Sequence, residues 1–411
     1  MPQHEPIYLH KIKKEKLCKH IDFRVTSKSS LTVDPTGNIT MGIDNARRLV
    51  ENLVDQSLAT PVDAQRKFSI TKQNANLFQI LVALSQNAND ADLLTVAHES
   101  DIIASRGALA DVAAHKHNFS NKLKLVVGFY QDCLFLTKRS DSKSSDAGLK
   151  AELAITSPKE GEPSFYDCPS VPWHQLYAQT LVQIGYHSLF VNGEYDCLDK
   201  NDKRVEIKLK KGGLSSYNLF NLSSSQVYMQ ARLLDTEDVV VATHEGNEQI
   251  TRFDRINISK LETGNPSFDS SSIKFEEGTT ELKFTWTEDE LLTNLEHFLR
   301  KLYTMCRSYP DKILVIENGL PDSNSESDAN KHNDSTENGL PDNNSESDAN
   351  KHSDSTENGL PDSNSNSDAK KHSDSNGERK QKNVFYVTKV ANDRSLLFPK
   401  FFTEHFDRIG Q

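Results

Sequence analysis

Apolar residues recur at helical spacing through TEDELLTNLEHFLRKLYTMCRSY (287–309). Thr287 stands as a cap, acids fill the first turn and bases come later, so this stretch predicts an amphipathic helix. SSSQVYMQARLLD (223–235) predicts a Ser-capped helix, and PWHQLYAQTLVQIG (172–185) another with Pro172 near its start. Residues 70–150 read as mostly β: LFQILVALS, then LLTVAHESDIIASRG, then KLKLVVGFYQDCLFLTKR. The last holds strands at 122–130 and 133–138 around a Gln-Asp turn, a hairpin. Residues 140–166, rich in Ser, Asp and Gly, read as a loop. HSLFVNGEYDCLDKNDKRVEIKLKK (187–211) reads as two strands joined by a polar turn, and VVVATHEG (239–246) as a buried strand. DKILVIE (311–317) and KNVFYVTKV (382–390) are two further strands. The first 60 residues are weakly patterned. The alternation predicts a mixed α/β (α+β) domain with its core at 61–316, completed by strands in 377–411.

Between the last two strands lies 317–376, three 20-residue copies beginning ENGLPD. Each offers a core one Leu and one Pro, so the composition predicts a disordered, expanded hairpin loop despite the period. Deleting it is expected to leave the melting temperature nearly unchanged. The formal net charge of −11 also belongs there: the repeats hold 14 acids and 4 bases, the rest of the chain 45 acids and 44 bases. The acidity therefore says nothing against a polyanionic partner for the folded body. Five cysteines without a CxxC pair argue against zinc and a disulfide framework, and suit a reducing compartment. No stretch reaches the roughly 18 apolar residues of a membrane span, and the basic start MPQHEPIYLHKIKKEK lacks the apolar run of a signal peptide. GxxxxGK[ST], GxSxG and HExxH are all missing.

Candidate chemistry gathers in the strand pair at 187–211. Residues two apart on a strand share a face, so Glu194 and Asp196 point one way, as do Glu206 and Lys208 on the next strand. Three carboxylates are hard oxygen ligands for Mg²⁺ or Mn²⁺, and a lysine beside them can orient attacking water and stabilise a phosphorane. Alternating charges also describe the solvated face of an edge hairpin. The intervening Tyr195, Cys197, Val205, Ile207 and Leu209 favour strands packed on one side. Lys208, Lys210 and Lys211 before Gly212-Gly213 suit phosphate contact or ordinary edge-strand protection. His115-Lys116-His117 lies in a basic turn suited to RNA backbone or solvent.

GEYDC with VEIKLK resembles the third and fourth motifs of the DXO family of decapping and 5′→3′ exoribonucleases. Ser105-Arg106-Gly107 resembles the family's Trp-Arg-Gly, whose Arg contacts RNA phosphate. In SQVYMQARLLDTEDVVVA, Gln230 stands where the family helix carries a Gln near its metals. The similarity spans roughly 95–320 and the last strands. It implies a DXO-like nuclease fold, metal at Glu194, Asp196 and Glu206, and RNA contacts from Arg106, Lys208 and Gln230. The family's second motif, Gly-apolar-x-apolar-Glu on the helix after the hairpin, supplies a Glu that bridges the metals. Read onto VPWHQLYAQTLV, that Glu becomes Gln175, or Leu176 under a one-residue shift, and the Gly is absent. Such a loss implies a weakly catalytic or non-catalytic member, like the family's divergent member in the germline piRNA pathway. That likeness implies a nuclear protein that binds RNA 5′ ends and protects piRNA-precursor transcripts at transposon-silencing loci, with Rhino and Deadlock as partners. The alternative is an active Mg-dependent decapping pyrophosphohydrolase and exoribonuclease.

Overall fold

The computed structural model describes residues 7–8, 21–63, 75–115, 123–139, 146–168, 170–244, 249–268, 282, 285–318 and 384–410. In chain order the first strands are β1 (Ile7–Tyr8), β2 (Phe23–Val33), β3 (Ile39–Met41), β4 (Arg48–Leu49), β5 (Gln56–Asp63), β6 (Ile102–Ser105), β7 (Lys124–Tyr130) and β8 (Cys133–Arg139). They are followed by β9 (Thr156–Ser157), β10 (Gln175–Ile184), β11 (His187–Tyr195), β12 (Cys197–Leu198), β13 (Arg204–Lys211), β14 (Asp238–His244), β15 (Gln249–Asn257), β16 (Ile313–Asn318) and β17 (Val384–Ala391). The helices are α1 (Leu77–Asn87), α2 (Leu93–Val96), α3 (Arg106–Ala113), α4 (Asp146–Ile155), α5 (Ser224–Leu233), α6 (Glu288–Arg307) and α7 (Lys400–Ile409).

Two mixed sheets result. The larger runs β1-β17-β16-β7-β8-β6-β11-β10-β2-β3 and the smaller β5-β15-β14-β13-β12-β4-β9. The main core lies between them, where α3, α5 and α6 bury Leu109, Val112, Met229, Leu295 and Leu299 against Leu136, Val191 and Val241. A mixed α+β domain is therefore what the chain forms.

Several elements follow the sequence directly. The β7–β8 hairpin turns at Gln131 and Asp132, both left-handed (φ 44° and 63°), the conformation a two-residue hairpin turn requires. Thr287 caps α6 by accepting from Glu290 N. β16 and β17 pair antiparallel, as strands flanking an expanded loop should. The repeats between them, 319–376, lie outside the described residues, as do Lys116 and His117.

Other elements differ from expectation. Residues 175–184 form a strand, not a helix, because β10 lies between β11 and β2 and is covered on both faces. Leu176, Ala178, Val182 and Ile184 keep a strand's period of two, but the Pro172 start and the apolar residues between them, Tyr177 and Leu181, also fit helical spacing. LFQILVALS is helical; Asn76 and Gln79 form a reciprocal capping box that starts α1. Within 140–166, expected as loop, α4 forms. The first 60 residues hold β1 to β4 and the start of β5, which join both sheets. No helix among the described residues is long and apolar enough to cross a membrane.

The C-terminal α7 docks on α1 through Phe402, edge-to-face against Phe78 with ring centroids 5.1 Å apart, and with His405 Nε2 2.9 Å from Ser85 Oγ. Burial depresses the pKa of His405, against the opposing pull of Asp90. The folded imidazole thus binds its proton more weakly than the unfolded one. The unfolded state takes up more protons as pH falls through the ordinary histidine value, so stability drops on acidification. Urea unfolding at about pH 7 and about pH 5 should show a smaller loss for His405→Gln than for the wild type. Equal losses would contradict this account.

Candidate metal and RNA site

The site sits where the chain leaves one sheet for the other. β11 belongs to the large sheet and carries Glu194 near its end; Asp196 occupies the crossing; β12 and β13 belong to the small sheet. The strand pair expected over 187–211 is therefore short, with only Cys197–Val205 and Leu198–Arg204 in register. Tyr195 consequently packs into the main core, while Cys197, Val205, Ile207 and Leu209 pack on the other face of the small sheet.

Asp196 is anchored by Ile207 N, which donates to its carboxylate at 2.6 Å. That bond sets Asp196 beside Glu206, the next residue back on β13. Glu206 is only 2% exposed, and its two oxygens accept from Arg106 Nη1 at 2.6 Å and Lys208 Nζ at 2.5 Å. Arg106 opens α3 and lies across β11 at Gly193, where an added Cβ would stand 2.6 Å from Arg106 Cβ. Glycine at 193 is thus what lets the arginine reach the carboxylates.

The helix after the β7–β8 hairpin is α4, and it reads Gly148-Leu149-Lys150-Ala151-Glu152. This is the Gly-apolar-x-apolar-Glu pattern in its proper place. Placing that pattern on a helix at 172–185 does not hold, since those residues form β10; the pattern lies on α4 and ends at Glu152. Gln175 lies instead at the start of β10, its Nε2 3.4 Å from Glu194 Oε1 and its Oε1 3.4 Å from the Tyr177 hydroxyl. It neighbours a carboxylate and replaces none.

Glu152 is held from behind by Arg47. This side chain is 1% exposed, lies 3.4 Å from Glu152 Oε2, donates to the Tyr195 carbonyl at 3.4 Å, and stacks 3.9 Å over Trp173. One buried cation thus ties α4 to the Glu194-Tyr195-Asp196 stretch. Nothing in the sequence pattern marks Arg47, which lies in the weakly patterned N-terminal region. Glu152 carried a readable signal, hidden by polar neighbours.

The electrostatics follow from this crowding. Burial pushes the Asp196 carboxyl well above its usual range; nearby Glu206, Glu152 and Glu194 push it further, against Lys208. Burial would also raise Glu206, but Arg106 and Lys208 outweigh it and hold the group at about 2. Glu206 in turn raises Arg106 although burial opposes this. Ser223 at the N-cap of α5 and Gln226 and Gln230 on the helix form one stripe: Ser223 accepts from Lys210 Nζ at 3.1 Å, Gln226 bonds Asp111, and Gln230 is half-buried one turn on. His115 is buried against Phe385, with Nε2 3.4 Å from Asn318, away from this set.

Four buried or half-buried carboxylates with one forced toward protonation are a donor set that suits a hard divalent cation. Among the described residues, however, no three His, Cys, Asp or Glu side chains are gathered closely enough to hold an ion as they stand. Glu206 is engaged by Arg106 and Lys208, and Glu152 by Arg47.

No protein-family model and no curated protein sequence matches this chain. Solved structures do. The fold is similar to that of S. pombe Rai1 in complex with 3′-FADP, at 13% identity over 76% of this chain and 95% of that one, with a TM-score of 0.58. Candida albicans Rai1 in complex with pU5-Mn²⁺ is 15% identical over 80% and 96%, with a TM-score of 0.55. K. lactis Dxo1 in complex with manganese is 13% identical over 76% and 94%, with a TM-score of 0.53. The chain therefore has the Rai1/Dxo1 fold.

Proposed function

We propose that this chain is a divalent-cation-dependent hydrolase acting on RNA 5′ ends. The observation that carries the reading is Glu152: it completes a set of four carboxylates with Glu194, Asp196 and Glu206. The similar proteins bound to pU5-Mn²⁺ and to 3′-FADP support RNA or nucleotide ends as the ligand class and manganese or magnesium as the ion. When bound, the ion supplies Lewis-acid activation of water and charge neutralisation at phosphorus. The four carboxylates are the side chains to hold it. Arg106, bonded to Glu206 through Nη1, can transfer its donor to an entering 5′ phosphate, and this frees a Glu206 oxygen. Lys208 keeps a positive charge beside that phosphate and orients the attacking water.

A second reading has its own support. Arg106 and Lys208 already neutralise Glu206, so the site resembles one that binds phosphate without needing metal. In that reading the protein is a nuclear, germline binder of RNA 5′ ends that protects piRNA precursors, with Rhino and Deadlock as partners. Purified protein incubated with triphosphate, capped and monophosphate RNA in Mn²⁺ separates the two. Release of nucleotide or 5′ product, lost in EDTA and in Glu206→Ala, is the expected result. Tight binding without turnover would remove the hydrolase reading and leave the second.

A further inference from the structure

β13 continues beyond the carboxylates through Lys208 to Lys210, alternate residues on one face, where Lys210 meets Ser223 at the start of α5. Lys208 is paired with Glu206, but Lys210 has no such partner: its Nζ donates to Ser223 Oγ at 3.1 Å, and no Asp or Glu among the described residues ion-pairs with it. Burial and the neighbouring Lys208 ammonium both push Lys210 below the usual lysine range. β12 pairs with β13 only at Arg204 and Val205, so at Lys210 the strand is paired on one side, to Thr243 of β14, and the lysine is turned to Ser223 rather than left in solvent as an edge-protecting charge would be. A half-buried ammonium with no carboxylate paired to it among the described residues, on the same strand face as Glu206 and Lys208, is arranged for an anion.

Resting on the reading that the site takes RNA 5′ ends, we infer that Lys210, with Ser223 beside it, holds the internucleotide phosphate next to the one at Lys208. Spacing selects this phosphate. Two residues along a strand span about 6.6 Å, comparable to the step between successive phosphates of a single strand and far longer than the step within a di- or triphosphate. Ser223 contributes a hydroxyl that can donate to a phosphate oxygen while accepting from Lys210. The site therefore prefers an RNA of at least two linked nucleotides over a free or capped mononucleotide.

The test compares binding of 5′-phosphorylated pU and pUpU to the full chain in CaCl₂, across a salt series. Lys210→Met is expected to weaken pUpU about tenfold, the size of one charge-assisted hydrogen bond, and to leave pU nearly unchanged. The slope of log affinity against log salt for pUpU should become shallower by about 0.7, one phosphate contact on a single strand. Lys210→Arg should restore both. Lys210→Met should melt no lower than the wild type, since it removes an uncompensated buried charge, so misfolding would not mimic the result. If Lys210→Met weakens pU and pUpU alike, or neither, the Lys210 assignment is wrong and the 5′-end reading stands. If the wild type binds neither ligand, both fall.

Discussion

Replacing Glu152 by alanine is expected to lower kcat for Mn²⁺-dependent hydrolysis of 5′-phosphorylated RNA by about a thousandfold. One missing carboxylate of four weakens the hold on an ion whose charge stabilisation is worth several kcal/mol, and each 1.36 kcal/mol is tenfold in rate. Gln175→Ala should change the rate far less. Gln175 touches Glu194 at 3.4 Å through a neutral amide and supplies no charge. Gln175→Glu should not raise activity either, because its new carboxylate would stand against Glu194. Single-turnover assays of the three variants decide between the two positions. If Glu152→Ala cleaves like the wild type while Gln175→Ala is crippled, Glu152 has no part in the chemistry. The ranking also fixes how the chain relates to its fold neighbours, since it asks whether α4 carries a working ligand.

The strand residues of the site were legible because a period of two survives any tertiary context: Glu194 with Asp196 and Glu206 with Lys208 alternate with apolar residues. What alternation could not show is that the chain changes sheets at Asp196, because pairing partners lie far away in sequence: β10 and β6 flank β11, whereas β14 flanks β13. The misreading of 172–185 had a larger consequence. Leu176, Ala178, Val182 and Ile184 face one core while Tyr177 faces another among Gln175, Gln179 and Gln183, so the period of two is interrupted enough for helical spacing to fit as well. That error moved an expected helix, and with it the position of the second motif, onto a strand. Meanwhile Glu152 stood on a helix of only ten residues flanked by Ser, Asp and Gly, where composition suggests a loop. Arg47 was beyond reach, since its role depends on contacts to residues more than a hundred positions away.

Those contacts make Arg47 the most consequential residue behind the site. It is almost wholly buried and faces Glu152, the Tyr195 carbonyl and the Trp173 ring at once. Arg47→Met preserves much of the stacking on Trp173 but leaves Glu152 beside Asp196, Glu194 and Glu206 with one cation fewer. Breaking a buried pair from one side typically costs about 3–5 kcal/mol. Glu152 keeps 16% side-chain exposure and gains some solvent relief, so the lower end, about 3 kcal/mol, is the expected loss. Glu152→Leu on that background should recover most of it, because the uncompensated carboxylate is then gone. The double-mutant cycle, measured by urea unfolding in EDTA, should therefore show a coupling above about 1 kcal/mol. Additive losses would mean that Arg47 stabilises the fold through Trp173 and Tyr195 alone. With coupling present, Mn²⁺ titration of Arg47→Met should also show weakened binding. The arginine fixes where the Glu152 carboxylate points, and a ligand left to wander costs the ion affinity even though Arg47 never touches it.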